Sequence, residues 1–117
     1  MTNYFFRNEP NPDARDPQDV RILALRAEPY PDGLRYKIFV DLTPFKQPPN
    51  LEVQLRTDGQ EEPLARVNII EAVNENLTFV MHLRVLFTGA LNLYASLDYL
   101  DGGGVHQLTT RIGEEND

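Results

Sequence analysis

Few side chains in this 117-residue sequence could carry out covalent or acid–base chemistry. Cysteine is absent, which excludes thiol nucleophiles, disulfides and thiolate metal ligands. The single serine, Ser96, lies in the middle of a predicted strand, without the sharp Gly-x-Ser-x-Gly turn that exposes a nucleophile. A threonine nucleophile must be N-terminal, and Thr2 follows Met1. We therefore expect no catalytic residues and a protein that is not an enzyme.

Histidines and carboxylates are the remaining candidates for binding a metal ion. His82 and His106 fall on the fifth and seventh predicted strands, and we interpret them as exposed strand residues rather than zinc ligands. Four acidic residues are expected at one end of the domain, where their oxygens could surround Ca²⁺: Asp41, Glu75, Asp98 and Asp101. Their spacing matches no calcium loop, and Asp before Gly is a common turn signal. We predict no metal site and no cofactor.

The elements that hold these residues are predicted to be strands, because apolar and polar residues alternate from residue 20 onward. The clearest strand runs from Leu34 to Thr43, with Tyr36, Ile38 and Val40 on its inner face. The full set of predicted strands is 20–28, 34–43, 51–56, 65–73, 77–85, 91–99 and 105–112. Turn residues separate them, and all nine prolines lie outside the strand interiors. Seven short strands in this order predict an all-β fold of antiparallel sheets.

The predicted arrangement resembles the immunoglobulin-like or fibronectin-III-like sandwich, in which seven antiparallel strands form two facing sheets. The resemblance is to an architecture, since the sequence has no tryptophan and no cysteine pair, and it identifies no family. We expect three regions: an irregular N-terminal arm over 1–19, the sandwich over 20–112 and an acidic tail over 113–117.

Charge is distributed unevenly along the chain. Lysine and arginine total 11 against 18 aspartate and glutamate residues, a net charge of −7. The arm contributes 2 − 4 = −2 and the tail contributes −3, which leaves −2 for the sandwich. This acidic balance argues against binding to nucleic acid or to an anionic membrane, both of which attract basic proteins. The residues after Met1 lack the basic and apolar regions of a signal peptide, so we expect a cytoplasmic protein.

The first candidate interaction surface combines cations with exposed apolar residues on one sheet face. If the second and fifth predicted strands pair, their outer faces bring six side chains together: Arg35, Lys37, Phe39, Val80, His82 and Arg84. Arginine and aromatic residues are enriched at the energetic centres of protein interfaces. The alternative is a solvated face that tolerates two apolar residues. The acidic tail, of the same or a neighbouring chain, is a further candidate to contact these cations.

Two other surfaces are candidates. Tyr4, Phe5 and Phe6 form the apolar cluster of the arm, which either adds to an exposed sheet edge or folds back over its own core. Phe45 and Asp101 lie in loops that the sandwich order brings to one end, where such folds place recognition loops. The alternative is that the Phe45 side chain covers the end of the core.

Together these observations predict a non-catalytic β-sandwich interaction module whose partner is a protein or a second copy. One alternative is a structural subunit that exchanges its N-terminal arm with a neighbour. A carbohydrate-binding module is the other alternative, but it would normally carry tryptophan or several coplanar tyrosines. Only Tyr30 and Tyr94 are available for that role.

Overall fold

The computed structural model describes residues 12–100, 102 and 104–112. Within these residues lie a short 3₁₀ turn and seven antiparallel strands. Their bounds are Pro17–Asp19 for the turn and, in chain order, β1 (Ile22–Pro29), β2 (Arg35–Leu42), β3 (Asn50–Arg56), β4 (Ala65–Ile69), β5 (Asn76–His82), β6 (Leu91–Asp98) and β7 (Val105–Ile112). One sheet has the order β1-β2-β5 and the other has the order β4-β3-β6-β7. The prediction of an all-β fold with antiparallel strands is confirmed.

The two sheets meet through the inner faces of their central strands. Ile38 and Val40 of β2, Val53 of β3, and Leu93 and Leu97 of β6 are completely buried. All five belong to one apolar cluster that draws on both sheets. They occur at every second position because the side chains of a strand alternate between its two faces. Burying a side chain of this size stabilises a fold by roughly 1.5–3 kcal/mol, so these rows hold the two layers together.

The first strand changes its inward-facing positions partway along. A bulge between Ile22 and Ala24 shifts the register of β1 against β2. As a result Ile22 and Leu25 are both buried, whereas Leu23 is 63% exposed. A bulge inserts one extra residue and so reverses the alternation beyond it. This explains why the sequence of β1 is apolar on both faces.

The fourth strand is shorter than the alternation predicts, and the prediction that it extends to residue 73 is wrong. β4 ends at Ile69, and Glu71 adopts a left-handed backbone with φ 54°. The Ala72 N–H then donates to the Pro49 carbonyl at 2.8 Å. This turn buries Ala72 and leaves Val73 79% exposed, the reverse of the predicted faces.

The described base of the predicted arm contacts the loop end of the domain. Arg15 forms a parallel bridge with Phe45. The Lys46 N–H donates to the Arg15 carbonyl at 2.9 Å, and Lys46 Nζ lies 3.1 Å from Asp16 Oδ1. Three sets of predicted residues lie outside the described part of the chain: Tyr4, Phe5 and Phe6 of the arm, Asp101, and the tail 113–117.

The two sheets are joined more closely along one long side of the domain than along the other. On one side β1 contacts β7, and the Ile22 N–H donates to His106 Nδ1 at 2.9 Å, which ties the two sheets together. The interpretation of His106 as exposed is wrong, because it lies on the inner face of β7, opposite Leu97, and is half-buried. Burial, together with the nearby Arg21 charge, lowers the pKa of His106 below its ordinary 6.5. On the other side, β4 and β5 each pair on one edge only with a described strand.

Candidate interaction surface

The strand register brings most of the first predicted surface together. β2 pairs antiparallel with β5, so that Arg35 lies opposite His82 and Lys37 lies opposite Val80. Phe39 lies opposite Thr78, which the predicted set lacks. Because β5 stops at His82, three residues before its predicted end, Arg84 lies in the segment that follows the strand.

Phe39 is held between two cations on the outer face of the sheet. Arg26 of β1 lies directly opposite it, with the guanidinium carbon 4.0 Å from the ring centroid. Lys37 Nζ lies 5.5 Å from the same centroid. Cation–π contacts at exposed sites are worth about 0.5–1 kcal/mol each, so they favour this ring position. The sequence pattern did not reveal Arg26, because the bulge in β1 hides which of its residues face outward.

We define the outer-face patch as the six predicted residues plus the two that the register adds: Arg26, Arg35, Lys37, Phe39, Thr78, Val80, His82 and Arg84. Neighbours neutralise two of its four lysine and arginine side chains. Arg26 forms an ion pair with Glu28, and Arg35 Nε lies 2.8 Å from Asp32 Oδ2. Lys37 and Arg84 form no ion pair with any described residue. The uncompensated positive charge is therefore concentrated at these two positions.

Arg35 belongs to the turn before β2 as much as to the patch. Asp32 Oδ1 accepts the Leu34 N–H at 2.9 Å, and the Arg35 guanidinium carbon lies 4.4 Å from the Tyr30 ring centroid. The backbone hydrogen bond from Leu34, followed by the side-chain hydrogen bond from Arg35, lowers the pKa of Asp32 below its usual 3.8. Arg35 is thus held locally, and it is less available to a partner than its sequence position predicts.

A groove of about 610 Å³ opens on the side of the domain where β4 and β5 end the two sheets. Its walls are residues 62–67 on the β4 side and residues 80–82 with Arg84 on the β5 side. Val80 and His82 therefore belong both to the groove and to the outer-face patch. The two features form one continuous surface around the open edge of β5.

The open edge of β5 presents backbone hydrogen-bonding groups. The Leu83 N–H donates to the Leu34 carbonyl at 2.7 Å, in register with the β2–β5 ladder, so the odd-numbered residues of this strand bond to β2. Successive residues of an antiparallel strand alternate in the neighbour to which they bond. Thr78, Val80 and His82 therefore direct their N–H and C=O groups away from β2.

The loops at one end of the domain are held by contacts with the core and by hydrogen bonds to neighbouring residues. Phe45 is half-buried and packs against the core, which favours the alternative that it covers the end of the core. The Tyr99 hydroxyl donates to the Gln47 carbonyl at 2.9 Å. Asp41 Oδ1 accepts a hydrogen bond from Asn76 Nδ2 at 2.8 Å. Among residues 12–100, 102 and 104–112, no three histidine, aspartate or glutamate side chains gather as a metal site.

The outer face of the four-stranded sheet carries a ladder of mutually bonded polar side chains. Arg56 Nε donates to Gln54 Oε1 at 2.6 Å, and Gln54 Nε2 donates to Glu52 Oε2 at 3.0 Å. The Arg56 guanidinium carbon also lies 4.2 Å from the Tyr94 ring centroid, where a sugar would have to stack. Ser96 lies on the same face, and neither of its cross-strand neighbours is a histidine.

No protein-family model and no curated protein matches this chain. In the described ranges, no helix is long and apolar enough to cross a membrane. Among the surfaces described above, the outer-face patch is the one that adjoins both the open edge of β5 and the groove beside it.

Proposed function

We propose that this chain is a non-catalytic interaction module with an immunoglobulin-like or fibronectin-III-like sandwich fold, which binds an acidic protein segment through the outer-face patch. The strand order supports the sandwich, because three strands in one sheet share a core with four in the other. β4 joins β3 rather than β5. The order therefore departs from the constant-type immunoglobulin arrangement and favours the fibronectin-III-like alternative.

The observation that carries the proposal is the combination of Lys37 and Arg84 with the apolar surface of Phe39 and Val80. The chain has a net charge of −7, so cations gathered on one face make that face electrostatically distinct. Complementary charge speeds encounter and selects partners, whereas anchor side chains in the interface supply most of the affinity. An acidic segment that carries one large apolar side chain meets both requirements.

The two alternatives have less support. A structural subunit that exchanges its arm needs an arm that leaves its own domain, yet Arg15 at the described base of the arm bonds to Lys46. A carbohydrate-binding module needs open aromatic faces. Both candidate rings are already covered by a side chain, because Arg56 stacks on Tyr94 and Arg35 stacks on Tyr30.

Selection from a phage-displayed library of random peptides tests the proposal, with the full chain as bait and the Lys37→Glu/Arg84→Glu variant for counter-selection. We expect the recovered peptides to contain aspartate or glutamate around an apolar residue. They should bind the variant about tenfold more weakly, a loss of ~1.4 kcal/mol. Binding should also weaken as salt is added, because salt screens exposed charges.

Lys46→Glu/Arg111→Glu is the matched control. It makes the same change in net charge at two exposed residues of other surfaces, each of which forms an exposed ion pair. Losing an exposed pair changes stability by about 0–1 kcal/mol, and the new carboxylates beside Asp16 and Asp58 are solvated. The control should therefore fold, which its melting temperature checks, and bind the recovered peptides like the wild type. Equal binding to both variants would overturn the proposal, as would a selection that recovers no acidic sequences.

A further inference from the structure

We infer that a second copy of this chain pairs with the first along the open edge of β5, antiparallel and centred on Val80. The two three-stranded sheets then form one continuous sheet across a twofold axis. This inference goes beyond the proposed function, because it joins two copies through the backbone edge of β5. The two surfaces share Val80 and Arg84, so a second copy and an acidic segment compete for these residues.

β5 lacks the protection that the other edge strands carry. Folded proteins protect edges with charged residues, prolines, bulges or short length, because an unpaired edge otherwise recruits another strand. β1 has a bulge, charged residues and a terminal proline, β4 is five residues long and contains Arg66, and β7 contains Arg111. β5 contains no charged residue of the Asp, Glu, Lys or Arg type, no proline and no bulge. Among the described edges it is the least protected against pairing.

Symmetric pairing about Val80 uses every outward-directed backbone group from Thr78 to His82. Thr78 of each copy lies opposite the partner's His82, and Val80 lies opposite its counterpart. Residues that face each other in a hydrogen-bonded antiparallel pair exchange two bonds, so these three facing pairs supply about six backbone hydrogen bonds.

The side chains that meet in this register are compatible on both faces. On the outer face, Val80, which is 36% exposed, contacts its counterpart, and no two lysine or arginine side chains lie opposite each other. On the inner face, Phe79 lies opposite the partner's Met81, and Leu77 lies opposite the partner's Leu83. Phe79 and Leu77 are only partly buried in one copy, so the pairing covers apolar surface that a single chain leaves open.

Charges at the two ends of β5 favour the antiparallel direction. The strand begins beside Glu75 and beside Asp41, whose carboxylate accepts a hydrogen bond from Asn76. It is followed by Arg84. Arg84 lies two positions beyond the end of β5, so in the register centred on Val80 it lies near the start of the second copy's β5 and these two carboxylates, and symmetry makes the contact twice. Parallel pairing would instead bring the two Arg84 side chains together.

The absence of cysteine allows a direct test of the edge and the register. Val80→Cys introduces one thiol per chain at the twofold axis. Facing Cα atoms of a hydrogen-bonded pair lie about 5.5 Å apart, which a disulfide can span. We expect mild air oxidation to link Val80→Cys into a covalent dimer on a non-reducing gel. Thr78→Cys mixed with His82→Cys should form the mixed dimer in preference to either homodimer.

Thr109→Cys is the matched control, because Thr109 is an exposed threonine on the β7 edge strand. It should cross-link much less than Val80→Cys. Light scattering behind size exclusion should give the wild-type chain a mass above 13.4 kDa that rises with concentration. Val80→Lys should raise the dissociation constant about tenfold or more, a change of at least ~1.4 kcal/mol. At concentrations low enough for both chains to be monomeric, its melting temperature should match the wild type, because Val80 makes no backbone bond to β2 and pairing no longer adds to stability.

A wild-type chain that stays at 13.4 kDa at every concentration would overturn the inference. Equal cross-linking of Val80→Cys and Thr109→Cys would also overturn it, and so would preferential cross-linking of Thr78→Cys to itself. The peptide selection is run at concentrations where the chain is monomeric, so that Val80 and Arg84 are free, and it fails only if the outer-face patch binds no acidic segment.

Discussion

Replacing His106 is expected to weaken the pH dependence of the free energy of unfolding. His106 Nδ1 accepts the Ile22 N–H at 2.9 Å, which only the neutral imidazole can do, since both nitrogens of the protonated ring are donors. Burial and the Arg21 charge hold the pKa of His106 below 6.5 in the folded chain. The unfolded chain therefore binds the proton more readily. Stability from this group is complete above about pH 6.5 and is lost as the pH falls through the folded-state pKa.

The hydrogen bond sets the size of the effect. A net intramolecular hydrogen bond contributes about 0.5–1.5 kcal/mol. Ile22 is buried while His106 is half-buried, so the Ile22 N–H gains little from water once the imidazole is protonated. We expect the wild type to lose about 1 kcal/mol more than His106→Gln between about pH 8 and about pH 5.

Urea denaturation across this pH range measures the difference on the wild type, His106→Gln and His82→Gln. Glutamine retains a side-chain oxygen that can accept the Ile22 N–H, so the first variant should fold. His82→Gln is the matched control, because His82 is exposed on the outer face of β5 rather than set against a buried backbone N–H. The reasoning would be refuted if His106→Gln kept the wild-type pH dependence, or if His82→Gln weakened it by the same amount.

Two further substitutions test the core and the outer face of the four-stranded sheet. Leu97→Ala removes a completely buried side chain and should lower the free energy of unfolding in urea by about 2–5 kcal/mol. Leu100→Ala, at a position that is 89% exposed, should change it by less than about 0.5 kcal/mol, and equal losses would contradict the placement of Leu97. Hydrogen bonds from Arg111 and then Asn92 lower the pKa of Asp58 to about 2. Asp58→Asn should therefore lower the melting temperature near neutral pH. The difference between wild type and variant should shrink as the pH falls from the usual pKa of 3.8 toward 2. A difference that did not change with pH would exclude this cause.

β2 shows how much of the fold local pattern can predict. Its unbroken alternation predicts a strand over 34–43, and the strand is Arg35–Leu42. In β1 and near Glu71 the alternation breaks, because a bulge and a left-handed turn depend on the neighbouring strands rather than on residue type. His106 is different: it shares its face with Leu108 and Ile112, so the alternation of β7 already indicated that it points inward.

The candidate site was predictable as a pair of strands but not as a set of contacts. The sandwich order predicts that β2 and β5 are neighbours, and they are. Arg26 reaches Phe39 only because of the β1 register beyond the bulge. The charge of Arg35 is neutralised by an ion pair with Asp32 in the preceding turn. Both contacts depend on register and turn geometry, which the spacing of strand residues does not specify.

The pairing of β2 with β5 also has a consequence for the growing chain. Arg35 lies opposite His82, which is 82 − 35 = 47 positions later. At typical rates of 5–20 residues per second, a ribosome needs about 2–9 s to add that length. During this interval the β1–β2 hairpin has no β5 to pair with, and one edge of β2 is exposed. We expect the nascent hairpin to be the stage at which this protein is most easily captured by a strand from another molecule.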